Sequence, residues 1–109
     1  MKIQNNMQIF EDGDALPELP DGLTYNLPVI SQFGFVLDEL EGKPYWRAGT
    51  EQEYRAAESQ RLGVLAEDVK IGDCYNTSPS SCSVGCFGIG WCTSVYDPAR
   101  RYYYCACTK

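Results

Sequence analysis

Six cysteines lie between Cys74 and Cys107, and the 73 residues before them contain none. Their spacing is C-x7-C-x3-C-x5-C-x12-C-x-C. A segment this short cannot bury much apolar surface, and a dense, even number of cysteines is typical of disulfide frameworks formed in oxidising compartments. The cysteines therefore constrain the fold more than any other feature. They predict a small, disulfide-rich module at this end of the chain.

Two of the cysteine intervals carry local geometry. Cys82 and Cys86 are four residues apart, which places them on one face of a helix, and Cys105 and Cys107 are two apart, which places them on one face of a strand. The segment "GWCTSVYDPARRYYYCAC" is typical of a β-hairpin. The predicted fold of the module is therefore α+β, with a short helix followed by a hairpin.

The hairpin prediction can be given a register. If residues 98–99 form the centre of the turn, Cys92 lies opposite Cys105 and Gly90 lies opposite Cys107. Alternation then places Tyr96 and Tyr103 on the face of these cysteines, and Tyr102 and Tyr104 on the other face. A glycine there would let a helix bridged to the strand approach closely. Because Pro98 cannot adopt the positive φ of the common two-residue turns, a longer loop with the register shifted by one residue is the alternative.

The segments "SCSVGC", "GWC" and "CAC" resemble the cysteine-stabilised αβ defensins and related toxins, over residues 74–107 only. Six cysteines permit fifteen pairings, so the choice among them comes from the resemblance. In that family the first cysteine bonds the fourth, the second the fifth and the third the sixth. The resemblance thus implies the pairs Cys74–Cys92, Cys82–Cys105 and Cys86–Cys107.

Charge divides the chain at nearly the same place as the cysteines. Up to Asp73 there are six Lys and Arg against fourteen Asp and Glu, whereas from Cys74 onward there are three against one. Such asymmetry suggests two regions with different roles. We expect residues 1–61 to be an acidic leader or prodomain and residues 62–109 to be the cysteine-rich module, with Arg61 as the processing site.

The acidic region contains two structural signals of its own. Two β-rich runs around Gly42 predict a hairpin over about residues 33–48. The sequence "TEQE" at residues 50–53 is a capping box, in which Thr50 and Glu53 satisfy each other's backbone amides. It predicts a helix over about residues 51–62, ended by Gly63.

Several classes of function are disfavoured. The chain contains no histidine for acid–base or triad chemistry, so we expect no enzyme, no catalytic residue and no cofactor. Its net charge of −6 disfavours nucleic acid as a partner. No window approaches the roughly 18 apolar residues of a transmembrane segment. C-x3-C and C-x-C pairs could supply thiolates to zinc, but six ligands exceed four, and we expect no metal.

The main hypothesis is a precursor of a secreted, defensin-like antimicrobial or toxin peptide. Its target would be an unknown extracellular protein, glycan or lipid, and a processing protease would release it. No secretory signal is visible, so the export route is open. The predicted target-binding residues are aromatic and basic residues of the hairpin: Trp91, Arg100, Arg101, Tyr102, Tyr103 and Tyr104. In the alternative interpretation, the aromatic residues cover the small disulfide core.

Two alternatives use the same cysteines. In the first, the whole chain is a disulfide-stapled structural or attachment domain of an extracellular or particle surface. In the second, a modifying enzyme dehydrates Ser and Thr residues near the cysteines and forms thioether bridges of the lanthionine type. Eight hydroxyl residues accompany the six thiols in the cysteine-rich module, which is compatible with that chemistry.

Overall fold

The computed structural model describes residues 2–16, 29–78, 81–83, 85–86 and 90–108. This part of the chain is a small α+β structure made mostly of strands. The strands are β1 Lys2–Gln4, β2 Met7–Ile9, β3 Val29–Ile30, β4 Phe35–Leu40, β5 Lys43–Ala48, β6 Asn76–Ser78, β7 Ser81–Cys82, β8 Gly85–Cys86, β9 Gly90–Asp97 and β10 Tyr102–Thr108. Helix α1 spans Glu51–Leu62, and a 3₁₀ turn follows at Ala66–Asp68.

The main sheet has five strands in the order β5-β4-β10-β9-β8, and every neighbouring pair is antiparallel. Strand β10 is central. On one side it pairs with β9, and on the other it pairs with β4 at Tyr102↔Val36 and Tyr103↔Phe35. The sheet therefore crosses the predicted boundary between residues 61 and 62, because β4 and β5 come from the acidic region and β8 to β10 from the cysteine-rich region.

Two smaller sheets surround the main one. The first has the order β1-β2-β3, and the second pairs β6 with β7. Isolated bridges at Ala15↔Arg47 and Ser31↔Asn76 join them to neighbouring elements. Residues of the three-stranded sheet, of the loop after β2 and of the main sheet form one apolar cluster, made of Phe10, Leu16, Val29, Phe35 and Ala48.

Helix α1 begins and ends where its capping residues predict. The Thr50 hydroxyl accepts a hydrogen bond from the Glu53 amide at 3.2 Å, and the Glu53 carboxylate accepts one from the Thr50 amide at 3.1 Å. Gly63 adopts the left-handed conformation, with φ +70°, and its amide donates to the Ser59 carbonyl. These contacts satisfy backbone groups that a helix terminus leaves unpaired.

The helix covers one face of the main sheet. Tyr54 of α1 meets Tyr104 of β10 edge to face, with ring centroids 5.5 Å apart. Large aromatic side chains contribute most of the buried area in a core this small. The buried cluster between helix and sheet consists of Val36, Tyr54, Ala57, Val69, Tyr102, Tyr104 and Ala106.

The predicted helix over residues 82–86 is wrong. Cys82 ends strand β7 and Cys86 ends strand β8, while Val84 lies outside the described residues. Glycine and a β-branched residue disfavour a helix here. Pairing of Gly85 with Trp91 and of Cys86 with Gly90 gives this segment a place at the edge of the main sheet.

The predicted register of the β9–β10 hairpin is also wrong, by two residues. Cys92 pairs with Cys107, Cys105 pairs with Ser94, and Gly90 pairs with Cys86 instead of Cys107. The connection is the four-residue loop 98–101, in which Arg101 has φ +50°. The longer loop follows from Pro98, which cannot supply positive φ. Because side chains alternate with a period of two, the shift leaves each one on its predicted face.

Candidate functional site

Three disulfides hold the cysteine-rich region. Cys74 pairs with Cys92, Cys82 with Cys105 and Cys86 with Cys107, at Cα–Cα distances of 5.6, 5.8 and 5.7 Å. These are the pairs that the defensin resemblance implies, although no helix carries Cys82 and Cys86. The three disulfides connect three short segments to the β9–β10 hairpin. The cysteine-rich region is therefore a hairpin to which neighbouring short segments are covalently attached.

The six cysteines also pack against each other. Cys74, Cys86 and Cys105 are buried, and the other three contact them. In two sets of three, Cys74 with Cys86 and Cys107, and Cys74 with Cys92 and Cys105, the sulfur atoms lie within 4.8 Å of one another. A metal needs thiolate ligands, and all six sulfurs are in disulfides. Only a reduced chain could therefore offer these atoms to a metal.

Two of the six predicted target-binding residues are buried in the structure. Tyr102 and Tyr104 are 0% and 1% exposed, because helix α1 and the loop at Phe33 cover them. The Tyr102 hydroxyl donates to the Phe33 carbonyl, and the Tyr104 hydroxyl donates to the Glu58 carboxylate at 2.7 Å. Their rings pack in the core and their hydroxyls are hydrogen-bonded there, so neither is accessible to a partner.

The other four predicted contact residues do not form one surface. Arg100 donates to Asp97 at 2.6 Å and to Gln60 at 2.9 Å, so its guanidinium is already engaged. Arg101 is exposed in the loop, and Trp91 is 68% exposed. By strand alternation, Trp91 lies on the helix-covered side of the sheet and Tyr103 on the opposite side.

A row of aromatic side chains lies on the sheet face opposite the helix. The Tyr103 ring is 4.4 Å from the Tyr96 ring and 5.7 Å from the Trp46 ring, measured between centroids. Tyr96 is 48% exposed. The hairpin pattern placed Tyr96 beside Tyr103, but Trp46 was missed, because it reaches the row only through the pairing of β4 with β10.

Glu58 is a buried carboxylate at the contact between the two regions. It is 3% exposed, and it accepts hydrogen bonds from the Arg61 guanidinium, one of them at 2.8 Å, and from the Tyr104 hydroxyl. A buried charge is tolerated when it is paired and hydrogen-bonded. Burial of the Tyr104 phenol, followed by its bond to Glu58, raises the pKa of Tyr104 well above its usual value.

Arg47 links the β4–β5 hairpin to helix α1. Its guanidinium donates two parallel bonds to Glu53, both 2.7 Å, and a third to Asp38 at 2.8 Å. Hydrogen bonds from Arg47 are the largest cause that lowers the pKa of both Glu53 and Asp38. The bidentate geometry makes this the stronger kind of ion pair.

The predicted processing residue, Arg61, lies in the last turn of helix α1 and is ion-paired with Glu58. Its use as a cleavage site stays a prediction. Among the residues that the structure describes, no helix has the length and apolar character needed to span a bilayer.

Comparison with known proteins finds a distant relative but no matching family model. No family model matches the chain, and no solved structure matches it significantly. "Uncharacterized protein YozP" of Bacillus subtilis (strain 168) is 27% identical over 97 residues, which cover 84% of this chain and 86% of that protein. Because the match covers 84% of the chain, the residues that it leaves out are fewer than half of either region. The similarity extends across both regions.

Proposed function

We propose that the chain acts intact, as a non-catalytic, disulfide-stapled structural or attachment domain in an oxidising environment outside the cell. The observation that carries the proposal is the contact between the two regions, here called the seam. Strand β10 of the cysteine-rich region lies between β9 and β4, and its central tyrosines are buried by helix α1 and the loop at Phe33. A domain whose core is built from both regions needs both to be stable.

Removal of residues 1–61 would have a large physical cost. It would expose Tyr102 and Tyr104, and it would leave the β4 side of β10 as an unpaired edge. Unpaired apolar edges favour aggregation, which does not suit a released peptide. Cleavage after Arg61 would also require α1 to unwind, because proteases bind their substrates as extended chains. Both points favour an intact domain over a precursor.

Location and lack of catalysis are supported more generally. Six paired cysteines suit an oxidising compartment, where glutathione and thioredoxin do not keep thiols reduced. The absence of histidine removes the commonest acid–base residue. The relative's similarity across both regions also fits a chain that is used whole.

The test compares the oxidised full chain with an oxidised 62–109 peptide. For the full chain we expect amide NMR signals from α1, β4 and β9 to disappear together in one urea transition, since a single core unfolds cooperatively. For the peptide we expect poorly dispersed spectra and mixed disulfide pairings.

Two results would favour the competing hypotheses. A peptide that folds alone with the same three pairings, or separate transitions for α1 and β9, would support the leader-plus-toxin precursor. For natively produced protein, a mass lower by whole waters and unchanged by reductant would support thioether bridges. Disulfides instead lower the mass by two hydrogens per bridge, which reductant restores.

A further inference from the structure

A cleft of about 520 Å³ lies where four parts of the chain meet. The end of β2, the β3–β4 connection, the start of helix α1 and the segment before β6 all contribute to it. This volume lies within the range of ligand pockets in proteins, roughly 300–1,000 Å³. The predicted contact residues of the β9–β10 hairpin do not line it, so the cleft is separate from that prediction.

The inner wall of the cleft is apolar and aromatic. The accessible apolar surface comes from the half-buried residues Ile9, Ile30 and Phe33, because Phe10 is 1% exposed and offers almost none. The Tyr75 ring, which is 38% exposed, also lines the cleft. Such a wall favours the apolar and flat parts of a ligand, since aromatic rings offer large contact area and attract cations to their faces.

The charged residues that line the cleft all have one sign. They are Glu11, Asp12, Glu51 and Asp73, and none of the described lining residues is basic. All four are exposed, so they lie nearer to solvent than Phe10. The Glu51 carboxylate forms an ion pair with the Arg55 guanidinium of the same helix, at 3.0 Å. A mouth of negative charge over an apolar wall favours a ligand that carries both a cation and an apolar group.

The spread of the carboxylates argues against a metal ion as the ligand. Across the described ranges, the only sets of three potential metal ligands within 4.8 Å of one another are formed by cysteines. A guanidinium is a better match, because it is broad and planar, stacks on aromatic rings and remains charged at all accessible pH values.

We propose that this cleft binds an arginine side chain and an adjacent apolar side chain of a basic peptide segment. The guanidinium lies among the carboxylates of Asp12 and Asp73 and against the rings of Phe33 and Tyr75, and the apolar side chain lies on Ile9 and Ile30. This assignment goes beyond the proposed function, which does not depend on it.

The experiment uses the oxidised full chain and two dipeptides. N-acetyl-Phe-Arg-amide carries the cation, and N-acetyl-Phe-citrulline-amide has nearly the same shape without the charge. We expect titration by NMR to shift the amides of residues 9–12, 30–33 and 73–75, with the arginine probe binding roughly tenfold more tightly. Raising the salt concentration from about 0.05 to about 0.5 M should reduce the difference.

Two matched double variants test whether Asp12 and Asp73 supply the negative charge that binds the guanidinium. Asp12→Asn with Asp73→Asn keeps the side-chain shape, and asparagine tolerates the positive φ of Asp12. We expect it to weaken binding of the arginine probe by roughly fivefold to tenfold. Glu41→Gln with Glu67→Gln removes the same charge from exposed residues outside the cleft and should leave binding within about twofold.

Each contrary result overturns the proposal. It fails if the two dipeptides bind equally well, if the shifted amides lie elsewhere, if both double variants have the same effect, or if no binding is seen at millimolar probe. All variants are first shown to unfold at the urea concentration of the parent. A folded chain that does not bind thus counts against the cleft and leaves the proposed intact domain untouched.

Discussion

Residues 1–61 and residues 62–109 are stabilised by different means. The first region has an apolar cluster of its own, a doubly capped helix and ion pairs around Arg47. The second has three disulfides and short strands around one hairpin. Neither region completes the main sheet alone, because β4 and β10 come from opposite sides of the division. The change in charge and cysteine content along this chain therefore falls within one sheet, to which both regions contribute strands.

The seam is the part of the molecule that most directly tests this comparison. Gly34 has φ +84°, and a Cβ built on it would lie 2.1 Å from the Tyr103 carbonyl oxygen. We expect Gly34→Ala to lower the free energy of unfolding by about 3–4 kcal/mol, from backbone strain together with overpacking against β10. Urea unfolding followed by circular dichroism measures this change.

Gly42→Ala is the control for that substitution. Gly42 has φ +80° in the turn between β4 and β5, but nothing lies within 4 Å of its added Cβ. Gly42→Ala should lower the free energy of unfolding only through backbone strain, by about 1–2 kcal/mol. Equal costs at the two positions would mean that β4 does not pack on β10 as described.

The next largest effect is expected from one disulfide. Cys82→Ala with Cys105→Ala opens a bridge that spans a sequence separation of 23. Loop-closure entropy predicts a loss of about 3 kcal/mol. If the two regions are one cooperative unit, hydrogen exchange will show slowly exchanging amides of β4 losing as much protection as those of β9. Protection lost only in the cysteine-rich region would separate the regions again.

A smaller effect is expected at the buried hydrogen bond between the regions. Tyr104→Phe removes the hydroxyl that donates to Glu58, and leaves a buried carboxylate with Arg61 as its remaining side-chain donor. We expect a loss of about 2 kcal/mol in urea unfolding. Tyr96→Phe, at a ring that is 48% exposed, is the matched control and should change stability by less than about 0.5 kcal/mol. A similar loss in both variants would contradict a special role for the seam.

The smallest effect concerns the ion pairs within the acidic region. Arg47 lowers the pKa of Glu53 and Asp38 below their ordinary values of 4.5 and 3.8. Lowered values in the folded state mean that this stabilisation is complete above about pH 5 and is lost as the pH falls through the folded-state values. Arg47→Met should therefore cost about 1 kcal/mol at pH 7.

The pH dependence of the stability lost in Arg47→Met tests whether the loss comes from charge. The stability difference between the parent and Arg47→Met should shrink on acidification below about pH 4, as both carboxylates become protonated. Lys43→Met, which changes an exposed cation of the same hairpin, should show a pH-independent difference near zero. A difference for Arg47→Met that stays constant down to about pH 2 would show that packing, and not charge, is lost.

Local signals in the sequence were sufficient for several elements. Thr50, Glu53 and Gly63 define the helix ends because capping involves only neighbouring residues. Period-two alternation assigned Cys105, Tyr103 and Tyr104 to their faces of β10. The predicted helix at Cys82 and Cys86 failed because four-residue spacing is compatible with a helix but does not favour one over strands that can pair.

The sequence alone determined that this end of the chain is disulfide-rich, that a capped helix follows a hairpin, and that charge is unevenly distributed. Those properties depend on residue types and on spacings of a few residues. Only the tertiary structure decided that β10 pairs with β4, that Tyr102 and Tyr104 are buried, and that aromatic and acidic residues from four segments enclose a cleft. Contacts between residues more than sixty positions apart depend on which arrangement buries the most apolar surface, and no local pattern encodes that choice.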